Sequence, residues 1–232
     1  MNQKKSFVTY FSKKEYLLWL LSIVFIAASF CIFDRQNNLT LVASLIGATS
    51  LIFNAKGNPI GQFLMIVFSI LYGIISFSFA YYGEMITYLG MTAPMALFAL
   101  ISWLRNPYNG NRSEVKVNHL DKKELILMAV LTLAVTVLFY FVLKALHTMN
   151  LIPSTISVTT SFLAVYLTFR RSAFYALGYA ANDIVLIFLW VMAAKEEPAY
   201  FSVVVCFIIF LINDFYGFIN WKRMYLRQQK QA

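Results

Sequence analysis

The chain has 232 residues, 60% of them hydrophobic and only 12% charged, with a formal net charge of +9. A soluble domain carries about a quarter of its residues as Asp, Glu, Lys and Arg, so this composition excludes an ordinary soluble fold and points to an all-α integral membrane protein. The positive charge would suggest nucleic acid in a soluble protein; here Lys and Arg crowd particular loops, as membrane topology requires, and no nucleic-acid partner is expected. Cys31 and Cys206 sit in apolar stretches without partner spacing, and His119 and His147 lie near helix ends away from any acid cluster. Neither a disulfide, a metal site nor a cofactor is expected.

Eight apolar runs have the roughly 17–25 residues needed to cross a bilayer: 16–33, 40–55, 60–80, 85–104, 123–146, 152–169, 172–193 and 199–221. The second and sixth are short or rich in hydroxyls. The first could be a signal peptide, since Lys13 and Lys14 precede it, but the basic region is long and no small-x-small cleavage pattern follows, which favours a retained helix. Asp34 to Asn38 are too polar for lipid and separate the first two spans, and Asn58-Pro59 punctuates the next junction. Pro94 predicts a kink in span four. The longest loop, 105–122, holds Asn106-Pro107 and Asn109-Gly110. With eight spans both termini share one side. Of the 19 Lys and Arg residues only Arg35, Lys144 and Lys195 fall on the other side, so the positive-inside rule places both termini in the cytoplasm. A seven-span reading that merges 16–55 would put the N-terminal lysines outside.

Shifting the chain by 118 residues lays Tyr72 on Trp190, Tyr82 on Tyr200, Trp103 on Trp221 and Arg105 on Arg223, with Ile66 on Ile184 and Val67 on Val185. This register maps spans two to four onto spans six to eight and leaves span five as a connector. An odd connector makes the two triplets parallel, with substrate expected near the midplane between them. The expected organisation is an N-terminal region and extra helix over 1–38, a first three-helix repeat over 39–104, and a basic loop with linker helix over 105–150. A second repeat over 151–221 and a basic tail over 222–232 complete it.

Asn182-Asp183 and Asn213-Asp214 lie inside apolar spans, each Asp followed seven residues later by a Trp, Trp190 and Trp221. Seven residues fall about 20° short of two turns, so each Asp shares a helix face with its Trp. A carboxylate in a span costs on the order of 3 kcal/mol even on lenient insertion scales and marks a substrate or ion path. No Lys or Arg lies in the interior of any span to neutralise these acids. Acid, amide and aromatic plate together suit a small, polar, aromatic and cationic solute. Tyr216 beside Gly217, Gln62 and Tyr72 in span three, and Thr159 among the hydroxyls Ser154, Thr155, Ser157, Thr160 and Ser161 of span six complete the candidate set. Against this, Trp19, Trp103 and Trp221 fit a membrane-interface belt, the span-six hydroxyls can bond backbone carbonyls, and Asn213 can serve as interhelical glue. No nucleophile elbow, phosphate loop or positioned His is present, so an enzyme is not expected.

Four stretches carry a resemblance: Tyr82-Gly83-Glu84-Met85, Trp103-Leu104-Arg105-Asn106-Pro107, Tyr179 through Asn182-Asp183 to Leu189-Trp190, and Asn213-Asp214-Phe215-Tyr216-Gly217 to Trp221. Across about residues 40–225 the chain resembles the PnuC family of nicotinamide riboside transporters, with span one outside the resembling part. The resemblance implies a core of three helices, a linker and three more, similar to SWEET sugar facilitators and often assembled as a homotrimer in the bacterial inner membrane. It implies facilitated diffusion of nicotinamide riboside, trapped by phosphorylation in the cytoplasm. A Trp or Tyr face would attract the cationic ring by about 0.5–2 kcal/mol, and Asn182, Asn213, Gln62 and the span-six hydroxyls would suit the ribose. Alternatives are a proton-coupled variant using Asp183 or Asp214, a facilitator for thiamine or another riboside, and a membrane scaffold that transports nothing.

Overall fold

A computed structural model of the protein describes residues 10–78, 81–148 and 150–231. Eight helices are long and apolar enough to span a membrane: α1 (Lys13–Phe33), α2 (Asn38–Ala55), α3 (Pro59–Ser78), α4 (Tyr82–Arg105), α5 (Lys122–Ala145), α6 (Leu151–Phe169), α7 (Tyr175–Ala194) and α8 (Phe201–Lys230). Helix starts follow the local chemistry. Ser12 and Glu15 form a reciprocal capping box on α1, and the side chains of Asn37 and Asp121 accept backbone N–H groups at the starts of α2 and α5. Pro59 opens α3, where its missing donor costs nothing.

Six helices close a ring in the order α2, α3, α4, α6, α7, α8, with α8 returning to α2. Two stand outside it. The helix α1 leans on α2 and α8, whereas α5 touches mainly α6 and buries little beyond Thr132 and Leu143. The core fills the inside of the ring with Leu51, Phe68, Tyr72, Leu186, Trp190, Phe207 and their neighbours.

Three features depart from the sequence expectations. The helix α8 continues to Lys230, so the expected tail after residue 221 is the end of a 30-residue helix. The loop 105–122 contains a hairpin of β1 (Pro107–Tyr108) and β2 (Asn111–Val115), turned by Asn109 and Gly110, both at positive φ as a tight two-residue turn needs. Val115 donates to Gly57 O at 2.9 Å, and the buried Gln228 side chain accepts from Val117 N at 2.8 Å and donates to Glu114 and the Val115 carbonyl. The hairpin is thereby fastened across the terminus-bearing end of the ring. Third, the irregularity expected at Pro94 lies just before it, as a π-turn over Thr87–Thr92. Proline lacks an N–H and clashes with the carbonyl four residues earlier; the wider turn absorbs both, and it sets Tyr88, Met91 and Thr92 inward.

Close helix approach rests on small residues. A Cβ on Gly178 of α7 would lie 2.8 Å from the Ala164 Cα of α6, a backbone contact that cannot yield, whereas one on Gly217 would meet Tyr175 Oη at 3.4 Å and Ala176 Cβ at 3.5 Å. We expect Gly178→Val to lower the thermal unfolding midpoint of purified protein through overpacking that costs about 1–3 kcal/mol, while Gly217→Ala leaves it unchanged or raises it.

Candidate functional site

The helices α6 and α7 meet at Asn182. Its Oδ1 accepts the hydroxyls of Thr160 and Ser161 at 2.9 Å each, with Ser157 Oγ at 3.4 Å. With Oδ1 set toward these hydroxyls, the NH2 end of the amide is turned away from them. One residue on, the Asp183 carboxyl of α7 is within hydrogen-bonding reach of the Asp214 carboxyl of α8. Two carboxyls bond one another only through a proton held between them, so the two residues are best described as a pair. Both residues are buried, and Asp183 Oδ2 has no partner among the described residues.

Asn182, Asp183 and Asp214 share the wall of one cavity of ≈ 20 Å³ with Tyr88 and Thr92 from the π-turn of α4, Ser161 of α6 and Tyr179 of α7; Phe68, Phe207 and Phe210 form its apolar side. Such a space holds about one water. The polar residues of both Asn-Asp motifs thus reach the cavity through Asn182, Asp183 and Asp214, and through neither Asn213 nor either tryptophan.

Aromatic layers stand on both sides. On the side away from the chain termini, Trp190 Nε1 donates to Tyr72 Oη at 2.7 Å, Tyr72 lies 4.4 Å from Tyr88 between ring centroids, and Tyr81 and Tyr200 meet the Trp190 ring at 5.0 and 5.4 Å. On the terminus side, Trp103 and Trp221 face each other at 5.3 Å, with 1% and 0% of their surfaces exposed. The interface belt expected for these two is overturned. Each is held inside by a bond from its indole N–H, Trp103 to Thr168 O at 3.0 Å and Trp221 to Asn54 O at 2.8 Å, and Tyr175 packs on Trp221 at 4.7 Å.

Four candidates point elsewhere. Asn213 donates to Ser22 Oγ of α1 at 2.9 Å, Tyr216 donates to Glu15 of α1 at 2.9 Å, and Thr159 bonds Thr136 of α5 at 2.8 Å. Gln62 is buried against Asn54, to which it donates at 2.8 Å, near the Trp221 contact. The sequence reading passed over Tyr88 and Thr92 as lining residues, whereas Tyr179 belongs to the span-seven stripe with Asn182, Asp183 and Trp190. It also passed over Glu84 of α4, which is buried and lies 3.4 Å from Ser157 Oγ, the same hydroxyl that reaches Asn182. Glu84 fell one residue outside the expected span 85–104, whereas the helix begins at Tyr82 and takes it in.

The Tyr72–Trp190 bond is a direct test of the aromatic layer. In a double-mutant cycle of Tyr72→Phe and Trp190→Phe, thermal unfolding should show non-additivity of about 1 kcal/mol, because either change alone strands one buried polar group.

Comparison with known proteins places this geometry in a family. A family profile described as nicotinamide mononucleotide transporter matches residues 37–223. The chain is 26% identical to a nicotinamide riboside transporter PnuC of Neisseria mucosa, across 92% of this chain and 83% of that one. It is 24% identical to a protein of the same description from Haemophilus influenzae, across 97% and 96%. A crystal structure described as the vitamin B3 transporter PnuC superposes with a TM-score of 0.82 at 23% identity over 94% of both chains, a likeness of fold. The matched region takes in the six ring helices up to residue 223 of α8 and both Asn-Asp motifs, and on that extent the chain belongs to the nicotinamide mononucleotide transporter family.

Proposed function

We propose that the chain carries nicotinamide riboside across the membrane by uniport, with Asn182, Asp183, Trp190, Asp214 and Tyr72 at or beside the path. The observation that carries this reading is the electrostatic character of the cavity: two carboxyls and a ring of aromatic residues, with no Lys or Arg among its described lining residues. A riboside with a cationic pyridinium fits such a lining. The mononucleotide named in the family description adds a phosphate of about −1.5 to −2 charge at neutral pH, which would meet acids and no cation. Relatives described as riboside transporters agree with that choice.

The remaining parts of the reading rest on the sequence and on contacts. Net uptake follows the gradient kept by phosphorylation in the cytoplasm, where charge asymmetry puts both termini, and the membrane is the bacterial inner one. Two parallel triplets, α2–α4 and α6–α8, rock about the cavity, with α5 as linker; the homotrimer remains an inference from the family resemblance. The pairs Tyr72/Trp190 and Trp103/Trp221, each equivalent under the 118-residue shift, touch one another, and equivalent residues meet only at a pseudo-two-fold axis. This supports the repeat with its axis along the membrane normal. Gln62, Asn213, Tyr216 and Thr159, which bond outside the cavity here, enter the site only if the triplets rearrange.

Calorimetry on purified protein separates the substrates: nicotinamide riboside should bind at least tenfold more tightly than nicotinamide mononucleotide or thiamine, and equal or stronger binding of the mononucleotide would refute the choice. Counter-flow of riboside in proteoliposomes should proceed without a sodium or proton gradient. A strict requirement for a proton gradient would instead assign Asp183 and Asp214 to coupling.

A further inference from the structure

Glu84 remains unexplained by the cavity alone. It is 7% exposed, and its Oε2 has no partner among the described residues. Among the described residues its Oε1 is met by Ser157 Oγ at 3.4 Å, a long contact whose single proton is contested by Asn182 at the same distance. An acid left so under-satisfied inside a membrane bundle is costly for the fold alone. A neutral side chain would pack there at lower cost, so the acid calls for a partner that arrives from outside.

Its surroundings define that partner. Glu84 and Tyr88 are four residues apart on α4 and share a face, with Thr92 of the cavity wall beyond the π-turn. Tyr72 and Tyr88 both lie within electrostatic reach of Glu84, and Tyr88 is also within reach of Asp183. Tyr88 therefore lies near both the unpaired acid and an acid of the cavity, with the Tyr72 ring 4.4 Å from its own. Aromatic faces beside an anion form a recognition surface for a flat organic cation, which gains from both the ring quadrupole and the charge. Among the described residues, none of the ion pairs involves Glu84.

We propose that Glu84 is the charge-selecting residue of the substrate site, the anionic partner of a cationic aromatic ring bound against Tyr72 and Tyr88. The Asp183–Asp214 pair and Asn182 are then left for the hydroxyl-bearing part of the substrate. This assignment rests on the riboside reading above and deepens it.

The test uses two ligands that differ in ring charge and keep the same ribose and carboxamide: nicotinamide riboside, a cation, and its dihydro form, which is neutral. Calorimetry on wild-type protein should show roughly tenfold or greater preference for the cation, the scale of a desolvated charge pair. Glu84→Gln keeps the shape and the contact with Ser157; it should weaken the cation at least tenfold, leave the neutral ligand within about threefold, and so abolish the preference. Glu84→Asp should retain most of the preference. Unchanged cation binding in Glu84→Gln, or equal losses for both ligands, would overturn the assignment and leave Glu84 a packing residue. If Glu84→Gln does not fold, the wild-type ratio decides, since no preference for the cation refutes charge selection. Wild-type protein that binds neither ligand would instead refute the riboside reading itself.

Discussion

No Lys or Arg lies in the interior of any span, so the acids and amides at the centre of the ring are left to bond with one another and with hydroxyls across helices. That constraint organises the centre of the protein. Asp183 joins α7 to α8 through Asp214, Asn182 joins α7 to α6 through Thr160 and Ser161, and Ser157 extends the same network to Glu84 on α4. These bonds cross helix boundaries, so moving one helix against another breaks several together. A packed interior of this kind has discrete arrangements and resists continuous deformation. Hydroxyl-bearing substrate can replace such bonds one for one, which an apolar seam could not offer.

The polar centre is sealed from two sides by a common device, an indole N–H held by an oxygen acceptor. Trp190 uses the Tyr72 hydroxyl, while Trp103 and Trp221 use carbonyls in the last turns of α6 and α2, which also accept the backbone N–H groups of Arg171 and Gly57. The tryptophans thus cap helix ends and close the ring at once. The N-terminal helix takes no part in this closure. It is fastened from outside by Glu15 to Lys56 and Tyr216, by Trp19 to Thr49 and by Ser22 to Asn213. The family match begins at residue 37, beyond that helix.

The spans were legible in the sequence because bilayer thickness fixes their length, and each expected run overlaps an observed helix to within a few residues at most ends. The central Asn182, Asp183 and Asp214 were legible because a polar residue in an apolar helix has so few uses. Partner choice was not legible. Periodicity gives a residue's face but not which neighbour occupies it, and Asn213 shows the difference: it is one residue from Asp214, yet its amide reaches back to α1. Thr159 fails in the same way, since the hydroxyls on either side of it turn to Asn182 while its own turns to α5. The interface-belt reading of Trp103 and Trp221 failed because span ends were read as lipid-facing, whereas the hairpin at 107–115 and the extension of α8 cover that end. The π-turn left no mark except Pro94, and without it the inward placement of Tyr88 and Thr92 could not be foreseen.

A cavity of ≈ 20 Å³ is far below the several hundred Å³ of a typical small-molecule site, so this arrangement is closed and a nucleoside enters only when the ring widens. The two sides are not equally costly to open. At the side away from the termini, the layer includes the Trp190 to Tyr72 hydrogen bond and ring contacts of Tyr72 with Tyr88 and of Tyr81 with Trp190 and Tyr200. At the terminus side, two indole bonds, the packing of Tyr175, Val115 and Met224, and the bonds of Gln228 to the hairpin must all give way. Each buried group stranded in that process costs about 1–3 kcal/mol; among the described residues the terminus side carries more such bonds, so on the riboside reading proposed above it would be the harder side to open.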